Sequence, residues 1–395
     1  MTGWRCVRLR WRFLLALPLV LLATPAQSHD PSAWGGLFRS RDQGATWVSA
    51  NRGQYLSRAI ALAISPTDPD HLLLGTGSGL FRSRNGGRDW VVEAPSVVLG
   101  PVFAAAFARD GKNALLSTGL GIFRGEADGS WRQLPAPRGV VPARAIVFSA
   151  EANRVYLAGW NGLYHSDDLG ASWSSAANGL PDDTATTLFA AQGSPETLYA
   201  VLQGQIWVSS DGAKSWSGRG TGMLPANIDV LTVDARLPTQ HWAAAANLLF
   251  RSDDAGVHWR RVGRPVQDPN TKVTAISASE EAIVVATDRG LFRSPDGGEN
   301  WTLLTDNLPA HLEAGMLGRD PVDPATLYAG FSLIPYAELW RRAASGEGAL
   351  ARVGLTSLAG SVVLLALLAL AAVVALRWLA AYYRPLTRRA ERLPP

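Results

Sequence analysis

Cysteine is almost absent from this chain of 395 residues: the single copy, Cys6, sits in an N-terminal segment read below as a leader. Without it the chain has no disulfide framework, no thiol nucleophile and no lipidated cysteine at a cleavage site. Lysine is nearly as scarce, with only Lys112, Lys214 and Lys272, so the bases are almost all arginine. That bias fits a GC-rich, bacterial coding sequence. His71, His165, His241, His258 and His311 show no H-E-x-x-H or other short ligand spacing, and read as surface or turn residues. No metal site and no cofactor is expected. Gly75-Thr76-Gly77-Ser78-Gly79 lies between two predicted strands and opens no helix, which excludes a phosphate loop, and Ser78 is not in a G-x-S-x-G elbow.

An excess of positive charge is also missing where it would count. The pI near 9.4 comes from the ends. Residues 1–28 carry four Arg and no acid, residues 377–395 carry five Arg and Glu391, and 28 bases face 32 acids in between. A mildly acidic body gives no case for nucleic acid.

Those ends have their own logic. Arg5, Arg8, Arg10 and Arg12 precede an apolar run from Phe13 to Ala23, and Ala26-Gln27-Ser28 supplies small residues for cleavage after Ser28. Residues 1–28 are therefore expected to be a signal peptide. The stretch 353–376 is 24 residues without a charge. As a helix it would reach roughly 36 Å, enough to cross a hydrocarbon core of ~30 Å. Arg377, Arg384, Arg388, Arg389 and Arg392 follow it, so the positive-inside rule places a 377–395 tail in the cytoplasm and the N-terminal body outside. A linker, 343–352, joins the two. The localisation expected is a single-pass cell-membrane protein with its body periplasmic or extracellular.

Between the ends, one phrase returns seven times and closes on a tryptophan: SRDQGATW (Trp47), SRNGGRDW (Trp90), GEADGSW (Trp131), SDDLGASW (Trp173), SSDGAKSW (Trp216), SDDAGVHW (Trp259) and SPDGGENW (Trp301). The intervals are 41 to 43 residues. Such a period marks stacked units that cannot bury their apolar faces alone. Each unit has one grammar, as in residues 58–94: RAIALAI, a turn, HLLLGT, a turn, LFRS, the RNGGRD turn, and WVVEA. Four short strands with no helical period predict an antiparallel β-propeller blade. Complete units begin near residues 58, 102, 144, 184, 228 and 272. The chain starts mid-unit with third and fourth strands (Gly35–Ser40, Trp47–Ala50). It returns with first and second strands around Glu313–Leu317 and Thr326–Phe331. Joined, these halves make a seventh blade, giving an all-β seven-bladed propeller over 29–342 followed by one C-terminal membrane helix. Ala337–Arg341 resembles one more third strand and an extra partial blade.

These phrases are similar to the Asp-box, or BNR, motif S-x-D-x-G-x-x-W. Asp42, Asp168, Asp254 and Asp296 fit in full. Asp211 belongs to a box with Ala213 for Gly, Asn85 replaces Asp in the second, and the third is degenerate around Asp128. An Asp side chain can accept hydrogen bonds from its own turn, and Gly supplies a positive φ. The Trp is then expected to bury its ring between neighbouring sheets. The spacing does not follow the calcium loop D-x-[DN]-x-[DN]-G, so the boxes read as structural. Within the Asp-box group, the resemblance to sialidases would imply an arginine triad, a Tyr nucleophile and an Arg-Ile-Pro motif, of which only Arg236-Leu237-Pro238 comes near. Xyloglucanases of this group resemble two propellers clasping a cleft, and this chain has length for one. The phrases DPVDPATLYAG and GLFRSPDGGENW resemble photosystem II stability/assembly factors and sortilin-type receptor propellers, which imply a non-catalytic, protein-binding platform. A glycan-binding or glycoside hydrolase protein of sialidase type is the alternative. The expected partner is a protein, with a membrane complex under assembly in view.

Binding is expected on the face opposite the boxes, where the fourth-to-first and second-to-third loops collect. Arg52, Tyr55, Arg138, Trp160, Arg219, Arg264, Arg289 and Tyr336 are the candidate anchors, since Arg and aromatic residues dominate interface centres. Asn300-Trp301-Thr302 is a formal glycosylation sequon inside a box, where a glycan would disturb the turn.

Overall fold

The computed structural model describes residues 35–345, apart from 53, 55, 57, 127–128, 138, 150–152, 192–195, 223–226, 234–236 and 310, together with 366–378. The leader, Tyr55, Arg138 and most of the linker and tail lie outside the described residues. Two compact units divide at Tyr336 and Ala337.

The first unit is a seven-bladed β-propeller. Blade one comprises Ala59–Ile64, Leu72–Thr76, Leu80–Ser83 and Val91–Glu93, hydrogen-bonded in that order. Five further blades follow the same order, with first strands at Val102–Phe107, Ala145–Phe148, Thr187–Ala191, Val230–Val233 and Val273–Ala278. Blade five adds Thr221–Gly222 as a short parallel strand outside His258–Val262. Blade seven is composite: Glu313–Arg319 and Leu327–Ser332 from the end of the repeat array pair with Gly36–Ser40 and Val48–Ser49 from its beginning. The closing register runs from Gly36 opposite Phe331 to Ser40 opposite Leu327. The first strands touch one another in cyclic order around the axis.

Each second strand is largely apolar because it is buried on both faces. In Leu72–Thr76, Leu72 and Leu74 face blade seven while Leu73 faces blade two. In Ile283–Thr287, Ile283 and Val285 face blade five while Val284 and Ala286 face blade seven. Successive strand residues point to opposite faces, so one strand serves two seams. The core is accordingly seven clusters, one in each seam between neighbours.

The repeated phrase makes the turn between third and fourth strands. Ser166 Oγ accepts the Gly170 N–H at 2.8 Å and donates to Asp168 Oδ1 at 2.7 Å, while Asp168 accepts from the Ser172 N–H and hydroxyl. Ser40, Ser83, Ser209, Ser252 and Ser294 repeat this with Gly44, Gly87, Ala213, Gly256 and Gly298. Two successive residues take positive φ, as in Leu169 (56°) and Gly170 (87°). In the phrase ending at Trp131, Gly125 stands where the others have Ser, and a Cβ there would lie 2.5 Å from the Trp131 indole. The ring has taken the place of the hydroxyl. The Trp side chains fill seams as expected, and some bond across them: Trp90 Nε1 donates to Ala50 O and Trp216 Nε1 to Ala176 O, each at 2.7 Å. Ser166→Ala, which strands the buried Gly170 N–H, is expected to cost about 1–3 kcal/mol in urea unfolding.

Two expectations are corrected. Ala337–Arg341 is not a strand: it lies in an α-helix, Tyr336–Ala344. Glu338 pairs there with Arg341 at 3.0 Å and Arg342 at 2.5 Å, a spacing of three and four that helices favour. His71 and His241 are not surface residues. Both are buried in seams at the start of second strands.

Among the described residues no helix is long and apolar enough to cross a membrane. Residues 366–378 are helical, with exposed Leu and Val side chains, and the earlier part of the charge-free run, 353–365, lies outside the described residues.

Candidate binding face at the channel mouth

Residues at the start of the first strands line one mouth of the axial channel, at two neighbouring registers. In chain order these are Arg58, Pro101, Arg144, Thr186, Asp229, Lys272 and Glu313. Arg144, Thr186 and Asp229 share one backbone bond, each donating N–H to the second strand of its own blade (Ala158, Val201 and Ala244 O). Arg58 and Lys272 share another, accepting at their carbonyls from Gly77 and Asp288 in the second-to-third turns. Three cations and two carboxylates thus meet around one opening.

Their partners differ. Lys272 Nζ reaches Asp229 at 2.8 Å. Glu313 Oε1 accepts the Tyr336 N–H at 3.2 Å. Burial pushes the Glu313 carboxyl above its ordinary value, with Asp288 adding to the effect and the Tyr336 N–H and Lys272 opposing it. The Arg58 Nε is buried and has no hydrogen-bond partner among the described residues, its stem lying over Gly77.

The candidate anchors divide on this frame. Trp160 and Arg289 stand in second-to-third turns at the mouth. The Trp160 carbonyl accepts from the Thr184 hydroxyl at 2.6 Å, and Arg289 pairs with Asp268 at 2.5 Å. Arg52 is exposed in the loop from blade seven to blade one. Tyr336 is drawn in over the mouth. Arg264 and Arg219 are elsewhere: Arg264 lies 3.6 Å from Glu299 in the turn phrase of blade six, and Arg219 lies in the seam between blades four and five, its stem near Gly256. Tyr55 and Arg138 lie outside the described residues. The anchors do not form one patch. Arg58, Arg144, Asp229, Lys272 and Glu313 were not among them.

On the opposite side the turn carboxylates are occupied. Hydrogen bonds from Ser172, Ser215 and Asn300 hold Asp168, Asp211 and Asp296 at about 2, well below the usual range. Asp254 is lowered likewise by His258. A carboxylate spent on its own turn is poorly suited to carry a proton. The Asn300 side-chain amide donates to Asp296 at 2.7 Å, which fits the structural reading of that sequon. Among the described residues no cluster of three or more His, Cys, Asp or Glu side chains is arranged to hold a metal.

No protein-family model matches the chain. Two curated relatives are similar in sequence. One is a xyloglucanase of Paenibacillus, 24% identical over 212 residues, which are 49% of this chain and 20% of that one. The other is a probable oligoxyloglucan-reducing end-specific xyloglucanase of Neosartorya fischeri, 26% identical over 186 residues, 43% of this chain and 22% of that one. The chain therefore spans about a fifth of the length of the relatives it matches. Among solved structures, YCF48 from Cyanidioschyzon merolae is similar, with a TM-score of 0.54 at 12% identity over 70% of this chain and 95% of that one. YCF48 bound to D1 peptide gives 0.52 at 15%, over 70% and 94%. The GH74 xyloglucanase of Xanthomonas campestris gives 0.53 at 18%, over 67% of this chain and 49% of that one. These likenesses share the propeller fold.

Proposed function

We propose that this chain is a membrane-anchored, extracytoplasmic propeller of the Asp-box type that docks a protein partner at its channel mouth and performs no chemistry itself. The observation that carries this is the mouth itself, where a ring of mixed charge is flanked by Trp160 and Arg289 while the carboxylates of the opposite face serve their own turns. Mixed charge with aromatic and arginine neighbours suits a protein surface and fixes orientation more than it adds raw affinity. The similar fold of YCF48, solved with a D1 peptide, supports the same class of ligand. The leader, the charge-free run and the arginine tail support anchoring with the body outside, and the exposed apolar side chains of 366–378 support a lipid environment for that helix.

A second reading is a glycan-active protein, favoured by the xyloglucanase matches and by the Glu313 carboxyl raised at the mouth. One experiment separates them. The full-length protein is crosslinked and recovered from its native membranes beside a variant carrying Trp160→Ala, Arg289→Ala and Arg52→Ala, and both are incubated with xyloglucan oligosaccharides. Docking predicts a discrete partner whose yield drops at least tenfold in the variant, with no new reducing ends. Reducing ends released by the parent, or no partner in either sample, contradict it.

A further inference from the structure

The mouth contains a cradle that the chain fills with one of its own residues. Ser332 ends the second strand of blade seven, and its hydroxyl both donates to the Ile334 carbonyl at 2.7 Å and accepts the Ile334 N–H at 3.3 Å. Two residues later Tyr336 gives its N–H to Glu313 Oε1 at 3.2 Å. Its hydroxyl donates to the Phe103 carbonyl at 3.3 Å, and its ring meets the Phe103 ring edge to face with centroids 6.1 Å apart. The Arg144 guanidinium stands 5.7 Å from the centroid of the Tyr336 ring. Glu313 belongs to blade seven, Phe103 to blade two, and Arg144 enters the first strand of blade three. Neither blade two nor blade three adjoins blade seven, so one side chain reaches across the opening.

A guanidinium near an aromatic face, a second ring edge-on, a carbonyl for a phenol and a carboxylate for a backbone N–H make a complete set of partners for one tyrosyl residue. Burial pushes the phenol up to about 12, so its hydroxyl remains a donor at any physiological pH. On the strap that delivers it, Leu333 is 44% exposed and Pro335 is exposed as well.

We propose that Glu313, Phe103 and Arg144 form a binding site for an aromatic side chain of a peptide ligand, and that Tyr336 is its tethered internal occupant. A ligand's tyrosine or phenylalanine enters as the strap swings out, so the site is closed to weak competitors and opens to those that bring further contacts. The effective concentration of a tethered group makes Tyr336 a strong competitor for any free one. This site does not depend on the nature of the docking partner, and its test uses no partner.

N-acetyl-L-tyrosinamide is titrated by NMR into the full-length protein, Tyr336→Ala, and Tyr336→Ala combined with Arg144→Gln. Saturable binding at least tenfold tighter to Tyr336→Ala than to the parent is expected, with at least a fivefold loss when Arg144→Gln is added. A Tyr336→Ala protein that keeps its circular dichroism and binds the probe no tighter than the parent overturns the proposal, as does binding indifferent to Arg144→Gln. If Tyr336→Ala does not fold, Tyr336→Phe decides. Loss of the hydroxyl bond is expected to admit the probe at least threefold more tightly than the parent does, and no gain contradicts the proposal.

Discussion

Phe331→Ala is expected to lower the unfolding free energy by about 3–5 kcal/mol, while Val48→Ala should stay within about 0.5 kcal/mol. Both residues lie in blade seven, so the contrast isolates the closing seam. Phe331 is fully buried, pairs with Gly36 across the junction of the two chain ends, and stands edge to face on Phe38 with centroids 5.3 Å apart. Truncating it removes transfer energy and leaves a cavity that the sheets, held by their own hydrogen bonds, cannot fill. Val48 is 54% exposed on the outermost strand. A propeller that did not close through these strands would make Phe331→Ala no more costly than Val48→Ala in urea unfolding.

Acid should destabilise the fold well above the usual carboxylate range. His71 accepts a hydrogen bond from Arg82, which also pairs with Glu93 at 2.6 Å, and Glu93 in turn accepts from the Trp131 indole of the next blade at 2.7 Å. Burial first, then Arg82 and Arg84, lower His71 from 6.5 to about 4. His241 falls to about 4 as well, chiefly through burial, with its Nε2 on the Pro238 carbonyl and its ring edge to face on Tyr199. A folded-state value below the unfolded one means that the unfolded chain binds more protons. The stability these neutral rings contribute is therefore complete above 6.5 and is lost as pH falls towards 4. The loss is roughly 3 kcal/mol for each histidine. Urea midpoints measured from pH 7.5 to 4.5 should fall steeply, and His71→Gln, which keeps an acceptor for Arg82 without a titrating ring, should remove about half of the slope. A variant whose pH profile overlays the parent's contradicts this assignment.

Much of the fold was legible because a propeller repeats its grammar. The tryptophan interval and the four short strands per unit placed the first strands to within about three residues, and half-units at either end implied the composite seventh blade. The apparent strand at Ala337–Arg341 failed for a local reason. Its apolar residues resemble the LFRS strands, but Pro335 before it and Glu338 spaced against Arg341 and Arg342 are helix signals. His71 and His241 escaped because a lone polar residue at a strand's start gives no sign of what the neighbouring blade packs against it. Anchors chosen by residue type were only partly gathered. Arg219 ends a fourth strand and Arg264 follows one, and both lean on the next blade's turn. The charged residues at the mouth carry no shared motif: they differ in chemistry and enter at two registers of the first strand.

The docking reading is tested most directly by site-specific photocrosslinking in native membranes, with the photoreactive residue placed at Trp160 or Arg289 on the mouth and at Thr46 or Ser172 in the turns. The account predicts one discrete protein adduct from the two mouth positions and none from the turns. Adducts from the turns alone, or from neither face, would contradict it.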